Sequence, residues 1–291
     1  MKYFIIIYLI TFSLLQVGCG NDQPEDEIIV NEEPILKIPY LRTPPLIDGD
    51  LSEWKDLAFS DGVWHMDRIA ESSWYDPERN HLTNHDEDVT LFDDLNARYY
   101  IAYDEEYIYL GAEVHDNVND VESENHEAKK WYYKDAIAWF IEAPGDDVSE
   151  EFGRGDNAFC FVIDTSYPSY GAWWRHGELK RNYVETPLWD HDVTYKIRFN
   201  PWDEGAADYI LEVKINMKKT FRKSDPAWQG PEEYAIYRMM IVHCDPDGGN
   251  YGGHMLIYGS GDNDITWTKI QLVEPRDPVE KNSNDQNSSK N

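Results

Sequence analysis

Apolar and polar positions alternate with period two along much of this chain. Residues 97–103 read Ala-Arg-Tyr-Tyr-Ile-Ala-Tyr, the acidic turn Asp104-Glu105-Glu106 follows, and 107–114 alternate again. Aromatic and β-branched residues patterned this way on both sides of a short turn predict a β-hairpin, closed by Asp116. The same pattern predicts strands over 136–142, 158–164, 193–200, 209–216, 234–244 and 267–273. No helical period persists beyond about a dozen residues, so 122–134 is at most one short helix. Residues 35–45 are extended and punctuated by proline. Asp48-Gly49 makes a turn, and 51–57 hold one helical turn capped by Ser52. Residues 60–88 are irregular but carry Trp64 and Trp74, which favours a long ordered loop. Many short strands joined by Gly, Pro and Asp turns predict an all-β fold, an antiparallel β-sandwich of jelly-roll-like form, as a single domain.

The two ends do not share that pattern. Met1-Lys2 and the apolar run 3–15 have the lengths of a signal peptide, and the run is too short to span a bilayer. Gly18-Cys19 stands where a bacterial lipoprotein is cut and acylated, so residues 1–18 are expected to be a signal peptide and Cys19 the lipidated residue. The other reading is a secreted protein with an incidental cysteine. Residues 19–34 form a polar, acidic tether without the apolar content to fold alone. Acidic residues just behind the lipidated cysteine resemble the surface-export signals of some Gram-negative lipoproteins. The sandwich is expected over 35–275, with an Asn/Ser/Lys-rich disordered tail at 276–291. These expectations place the protein at the bacterial outer membrane or cell surface, touching the membrane only through its lipid.

Charge narrows the partners. The formal net charge of −30 repels phosphate backbones, which argues against nucleic acid, and it disfavours acidic polysaccharides unless cations intervene. Neutral glycans and divalent cations face no such barrier. Of the three cysteines, Cys160 and Cys244 fall in strand-like segments, and either a disulfide or two buried thiols fits an exported chain. A G-x-S-x-G elbow and a helical zinc motif are both missing from the sequence. Among 56 acids a glycosidase-like carboxylate pair cannot be singled out. With 11 Trp and 20 Tyr, enough aromatics remain beyond a core to build a sugar platform. Gly171-Ala-Trp173-Trp174-Arg175-His176-Gly177 offers one candidate. On a strand the two tryptophans face opposite sides, on a loop both are exposed, and Arg175 supplies a planar donor for hydroxyls.

Ile47-Asp48-Gly49-Asp50-Leu51-Ser52-Glu53-Trp54, then the Tyr-rich hairpin, then Trp131-Tyr132-Tyr133-Lys134-Asp135 before the strand at 136, form an ordered set. That set resembles the family-9 carbohydrate-binding modules over roughly residues 46–274. The resemblance implies a non-catalytic, sugar-binding sandwich that clamps a terminal sugar between two aromatics. Tyr132 stands at the first aromatic position with Trp131 beside it. The second falls on Gly261, with Tyr258 the nearest ring. The family's polar contacts fall on Ala138 and near Cys160 and Phe161. Family-9 modules also hold calcium through acids and carbonyls, which makes Asp48, Asp50, Glu53, Asp116 and Asp135 candidate Ca²⁺ ligands. Asp245-Pro246-Asp247-Gly248 resembles part of a calcium loop. A scaffold subunit with a decayed sugar site is the alternative of a different class. A more distant relative of the fold binds haem, for which Met239, Met240, Met255, His243 and His254 are the available ligands.

Overall fold

The computed structural model describes residues 34–65, 68, 95–119, 131–146, 153–163, 171–179, 182–188, 192–232, 234–245, 254–259 and 263–274. The expectations for the signal peptide, Cys19, most of the tether, Trp74, Asp247, Gly261 and the tail lie outside these residues.

Two sheets carry the fold. Their strands are β1 (Leu36–Pro39), β2 (Val63–Trp64), β3 (Leu95–Tyr103), β4 (Tyr107–Asp116), β5 (Ala136–Glu142), β6 (Asp156–Val162) and β7 (Ala172–Leu179). The rest are β8 (Asn182–Pro187), β9 (Val193–Phe199), β10 (Tyr209–Asn216), β11 (Ile236–Cys244), β12 (His254–Ile257) and β13 (Thr268–Val273). The larger sheet has eight strands in the order β1-β13-β11-β5-β6-β7-β8, with β12 also on β11, and the smaller runs β2-β3-β4-β10-β9. Between these described strands every pairing is antiparallel except β1 with β13. The result is an antiparallel β-sandwich.

The period-two pattern explains the layering. Tyr99, Ile101, Ile108, Leu110, Leu211 and Val213 of the small sheet meet Ile137, Trp139, Phe159, Phe161, Met239 and Ile241 of the large one in a single inter-sheet core. The alternate residues of both sheets are covered as well. Ala136, Ala138, Phe140, Ala158, Cys160, Met240 and Val242 form a second apolar layer on the outer face of the large sheet. Tyr100, Ala102, Tyr109 and Ile210 form a third outside the small sheet, beneath Leu51 and Trp54. Burial on both faces is why β5 and β6 are buried at every position.

The opening motif is a structural clasp. Glu212 on β10 accepts the backbone N–H groups of Asp48 and Gly49 through Oε2, each at 2.9 Å. Its Oε1 accepts the Trp54 indole N–H at 2.8 Å. Gly49 has φ +89°, a left-handed conformation that glycine adopts without strain. Gly111 has no Cβ, and one there would meet Leu51 at 3.1 Å and Trp54 at 3.3 Å, so this glycine lets the clasp sit on β4. The short helical turn is a 3₁₀ turn over Leu51–Glu53. Asp50, rather than Ser52, caps it, because its carboxylate accepts the Ser52 N–H at 2.9 Å.

The sequence pattern located β3, β4, β5, β6, β9, β10, β11 and β13, several to within a residue or two of their ends. It did not separate β1, β2 and β12, which have two to four residues each, nor the six-residue β8, and it left β7 open between strand and loop. It also left α1 (Met217–Ser224) unmarked. Asn216 caps this helix by accepting the Lys219 N–H, and Met217, Thr220, Phe221 and Ser224 turn inward. Cys160 and Cys244 are free thiols. They sit on β6 and β11 with β5 between them, so two strand spacings of about 4.8 Å separate them, beyond the reach of a disulfide.

Candidate glycan-binding face and buried acid cluster

Strand register gathers most of the aromatic candidates on one surface. Across the large sheet, Pro187, Trp173, Cys160, Ala138 and Val242 stand in one row and share the outer face. The next row holds Glu185, Arg175, Ala158, Phe140 and Met240. A third holds Val162, Ala136, Cys244 and His254. The middle of this face is a floor of small groups: Ala136, Ala138, Ala158 and Cys160. Trp173 packs half-buried at the β7 end of that floor, and Tyr132 packs half-buried over the same layer. His254 Nε2 bonds the Tyr132 carbonyl at 2.8 Å, which ties Tyr132 toward the β12 side. Behind Tyr132 stands Trp131, edge-on at 5.6 Å between ring centres.

Three aromatic expectations are corrected. Trp174 turns to the opposite side of β7 and is 2 % exposed in the inter-sheet core, stacked at 6.1 Å on Phe159. Alternation along a strand makes this unavoidable once Trp173 faces outward. Trp131 is 6 % exposed, a wall that supports Tyr132 rather than a platform of its own. Tyr258 follows the inward-facing Ile257 and has φ +68°, and its ring meets Trp64 at 5.4 Å against the inter-sheet core. It therefore belongs to the other side of the sheet from Tyr132. Arg175 is where a hydroxyl donor beside Trp173 would be, in an ion pair with Glu185. Sequence reasoning missed Glu185 because it did not separate β8 as a strand. Its signal was the alternation of Tyr183, Glu185 and Pro187.

The acidic candidates divide into two groups. Asp116 ends β4, Asp135 directly precedes β5 and Asp245 directly follows β11. Cys244 pairs with Ala136, so the last two are brought side by side. One carboxylate oxygen from each of the three lies within 4.8 Å of the others, and the residues are only 5 %, 1 % and 2 % exposed. Three buried carboxylates this close repel unless protons or a cation neutralise them, and oxygen ligands suit calcium. Asp116, Asp135 and Asp245 therefore fit such an ion. Asp48, Asp50 and Glu53 do not join them. Their carboxylates instead accept the N–H groups of Asp50, Ser52 and Leu46 within the clasp. The D-G-x-L-x-E pattern is thus explained by turn formation.

A buried triad adjoins the trio. Tyr99 and Tyr209 place their hydroxyls 2.6 and 2.8 Å from His243 Nδ1 and Nε2. Burial alone pushes His243 down to about 3, so the ring is neutral, with one nitrogen donating and the other accepting. Burial also raises the Tyr209 hydroxyl, with Asp116, Asp135 and Asp245 adding to it. The haem candidates do not converge. Met239 and Met255 lie in the inter-sheet core, and both His243 nitrogens are taken by tyrosines. Met240 lies in the outer layer, and His254 holds Tyr132.

Residues 66–269 match the family described as carbohydrate family 9 binding domain-like. The chain belongs to that family. Among solved structures, a family 9 carbohydrate binding module from Caldicellulosiruptor kristjanssonii in complex with cellotriose has the same fold. Its TM-score is 0.51 at 13 % identity, over 84 % of this chain and 97 % of that one. The same organism's module in complex with glucose gives 0.51 and 13 %, over 84 % and 99 %. No curated protein matches the chain in sequence. As a member of a binding-module family, the chain has its aromatic face, rather than its acids, as the first place to look for a ligand.

Proposed function

We propose that this family 9 module is a non-catalytic glycan-binding protein, exported and anchored through lipid on Cys19 at the outer membrane or cell surface. There it captures or presents a neutral or weakly charged glycan. The observation that supports this most is the placement of Trp173 and Tyr132 over one small-residue floor on an outward face. Alanines and a cysteine beneath leave room for the rings, and the C–H face of a sugar stacks on an aromatic ring of this kind. The solved neighbours were captured with cellotriose and glucose, which makes glucans the first ligands to try. Asp116, Asp135 and Asp245 hold a structural Ca²⁺ in this proposal, with backbone carbonyls and water completing its oxygen shell. Inward turning of Trp174 and Tyr258 favours a second reading, a scaffold whose sugar site has decayed. A glycan array probed with the purified chain separates the two. Retention of a neutral glycan that Tyr132→Ala abolishes supports binding, and an array without signal leaves the scaffold.

A further inference from the structure

Past its apolar rows, the outer face of the large sheet ends in a row of buried charge. Arg238, Glu142 and Asp156 stand side by side on β11, β5 and β6. Asp264 reaches the same place from the 3₁₀ turn Asp264–Thr266, just before β13. One carboxylate oxygen from each of Glu142, Asp156 and Asp264 lies within 4.8 Å of the others, and the residues are 2 %, 0 % and 3 % exposed. Glu142 Oε1 accepts the Asp146 N–H at 3.0 Å, and Asp156 Oδ2 accepts the Gly153 N–H at 2.5 Å. Glu142 Oε2, in contrast, is buried and accepts no hydrogen bond among the described residues. Arg238 Nε is 3.6 Å from that oxygen but donates to the Asp146 carbonyl at 2.9 Å. Its Nη1 turns to the carbonyls of Ile265 and Trp267, at 3.2 and 3.3 Å. A buried carboxylate oxygen without a donor is costly, and it points to a partner other than the guanidinium.

We propose that Glu142, Asp156 and Asp264 form a second Ca²⁺ site, distinct from the one assigned to Asp116, Asp135 and Asp245. The two sets flank opposite ends of the seven-residue β5, about 20 Å apart at about 3.4 Å per residue, so one ion cannot serve both. Three ionised carboxylates facing one guanidinium carry the excess negative charge that a divalent cation neutralises. Oxygens that share a Ca²⁺ at about 2.4 Å take separations within the observed limit. Closure from solvent favours Ca²⁺ over Mg²⁺, which sheds its water reluctantly. Burial, with Asp146 and Asp264 adding to it, pushes the Glu142 carboxyl up to about 8. Without the ion a proton on Glu142 relieves part of the same repulsion, so proton and cation are alternatives here. The ion ties the end of β5 and the start of β6 to the turn that leads into β13, and so stabilises the large sheet alone.

Counting bound Ca²⁺ by calorimetry on the full chain tests this, at about pH 8.5 where the proton competes little. Mg²⁺ in the buffer occupies the surface carboxylates. The wild type is expected to bind two ions, and Glu142→Gln and Asp264→Asn one each. The ion they keep is the one that Asp245→Asn removes, so the double variant Asp245→Asn/Glu142→Gln binds none. Without calcium, Glu142→Gln should melt no lower than the wild type at this pH, since it removes a buried repulsion and keeps the side chain's shape. Two ions retained by both Glu142→Gln and Asp264→Asn overturn the site. So does a single wild-type ion that Asp245→Asn removes, and that result leaves the Asp116 set standing. A single ion that Asp245→Asn keeps and Glu142→Gln loses supports this site and overturns the other. A wild type that binds no Ca²⁺ overturns both.

Discussion

At the level of single residues, which way a side chain points separates the candidates for recognition from residues that pack. Trp173 and Trp174 are neighbours in sequence, yet one lies over the outer floor and the other in the inter-sheet core. Trp173→Ala should therefore cost affinity, on the order of 1–3 kcal/mol as for a stacked aromatic. The melting temperature should change little, and calorimetry with the array-selected glycan is the check. Tyr132→Ala should behave alike, whereas Trp174→Ala should destabilise the fold by about 3–5 kcal/mol in urea unfolding. A second prediction concerns Glu142, which is 2 % exposed with Arg238 Nε at 3.6 Å. Burial pushes its carboxyl up to about 8 despite that guanidinium. With the folded value above the unfolded one, the native state holds the proton more tightly. The resulting stability is fully present below about pH 4.5 and is lost as pH rises through about 8. Wild type compared with Glu142→Gln by urea unfolding at several pH values should lose a few kcal/mol of relative stability between pH 5 and 8. A flat difference would show that Arg238 already compensates the charge.

At the level of elements, the clasp formed by the opening motif closes the outer side of the small sheet. Trp54 is 1 % exposed and ends in a hydrogen bond to the fully buried Glu212. Trp54→Ala removes the largest group of that layer and leaves a buried carboxylate short of one donor. A loss of about 3–5 kcal/mol is expected in denaturant unfolding, with glycan affinity retained because the proposed ligand face belongs to the other sheet. The motif itself was legible from sequence. Its acids were expected to hold metal, since a carboxylate that turns a chain and one that ligates an ion look the same until their partners are known. Glu212, more than 150 residues away, supplied that knowledge.

For the whole molecule, the acid trio joins the two sheets, Asp116 from one and Asp135 and Asp245 from the other. An ion bound only by the native state would stabilise the sandwich by mass action. Calcium should raise the melting temperature, chelator should reverse the rise, and Asp245→Asn should blunt it. Superimposable scans with calcium and with chelator would dismiss the ion. Lipid on Cys19 is tested by Cys19→Ser, which should move the protein from the detergent to the aqueous phase or leave it unprocessed. Identical partitioning into the aqueous phase would make the protein secreted rather than anchored.

Period-two alternation and turn residues determined, from the sequence alone, the sandwich and most of its long strands. Both are set by local geometry: where each Cβ points and which residues tolerate a turn. The ordered motifs likewise indicated the family and brought Tyr132 forward as a candidate, and the aromatic run 171–177 did the same for Trp173 and Arg175. Only the tertiary structure decided which aromatics keep an outward face. It also revealed that Glu185 partners Arg175, and that Asp116 and Asp135 meet Asp245 instead of Asp48. Those outcomes depend on register between strands far apart in the chain. A shift of one residue in any pairing would exchange the buried and exposed rings.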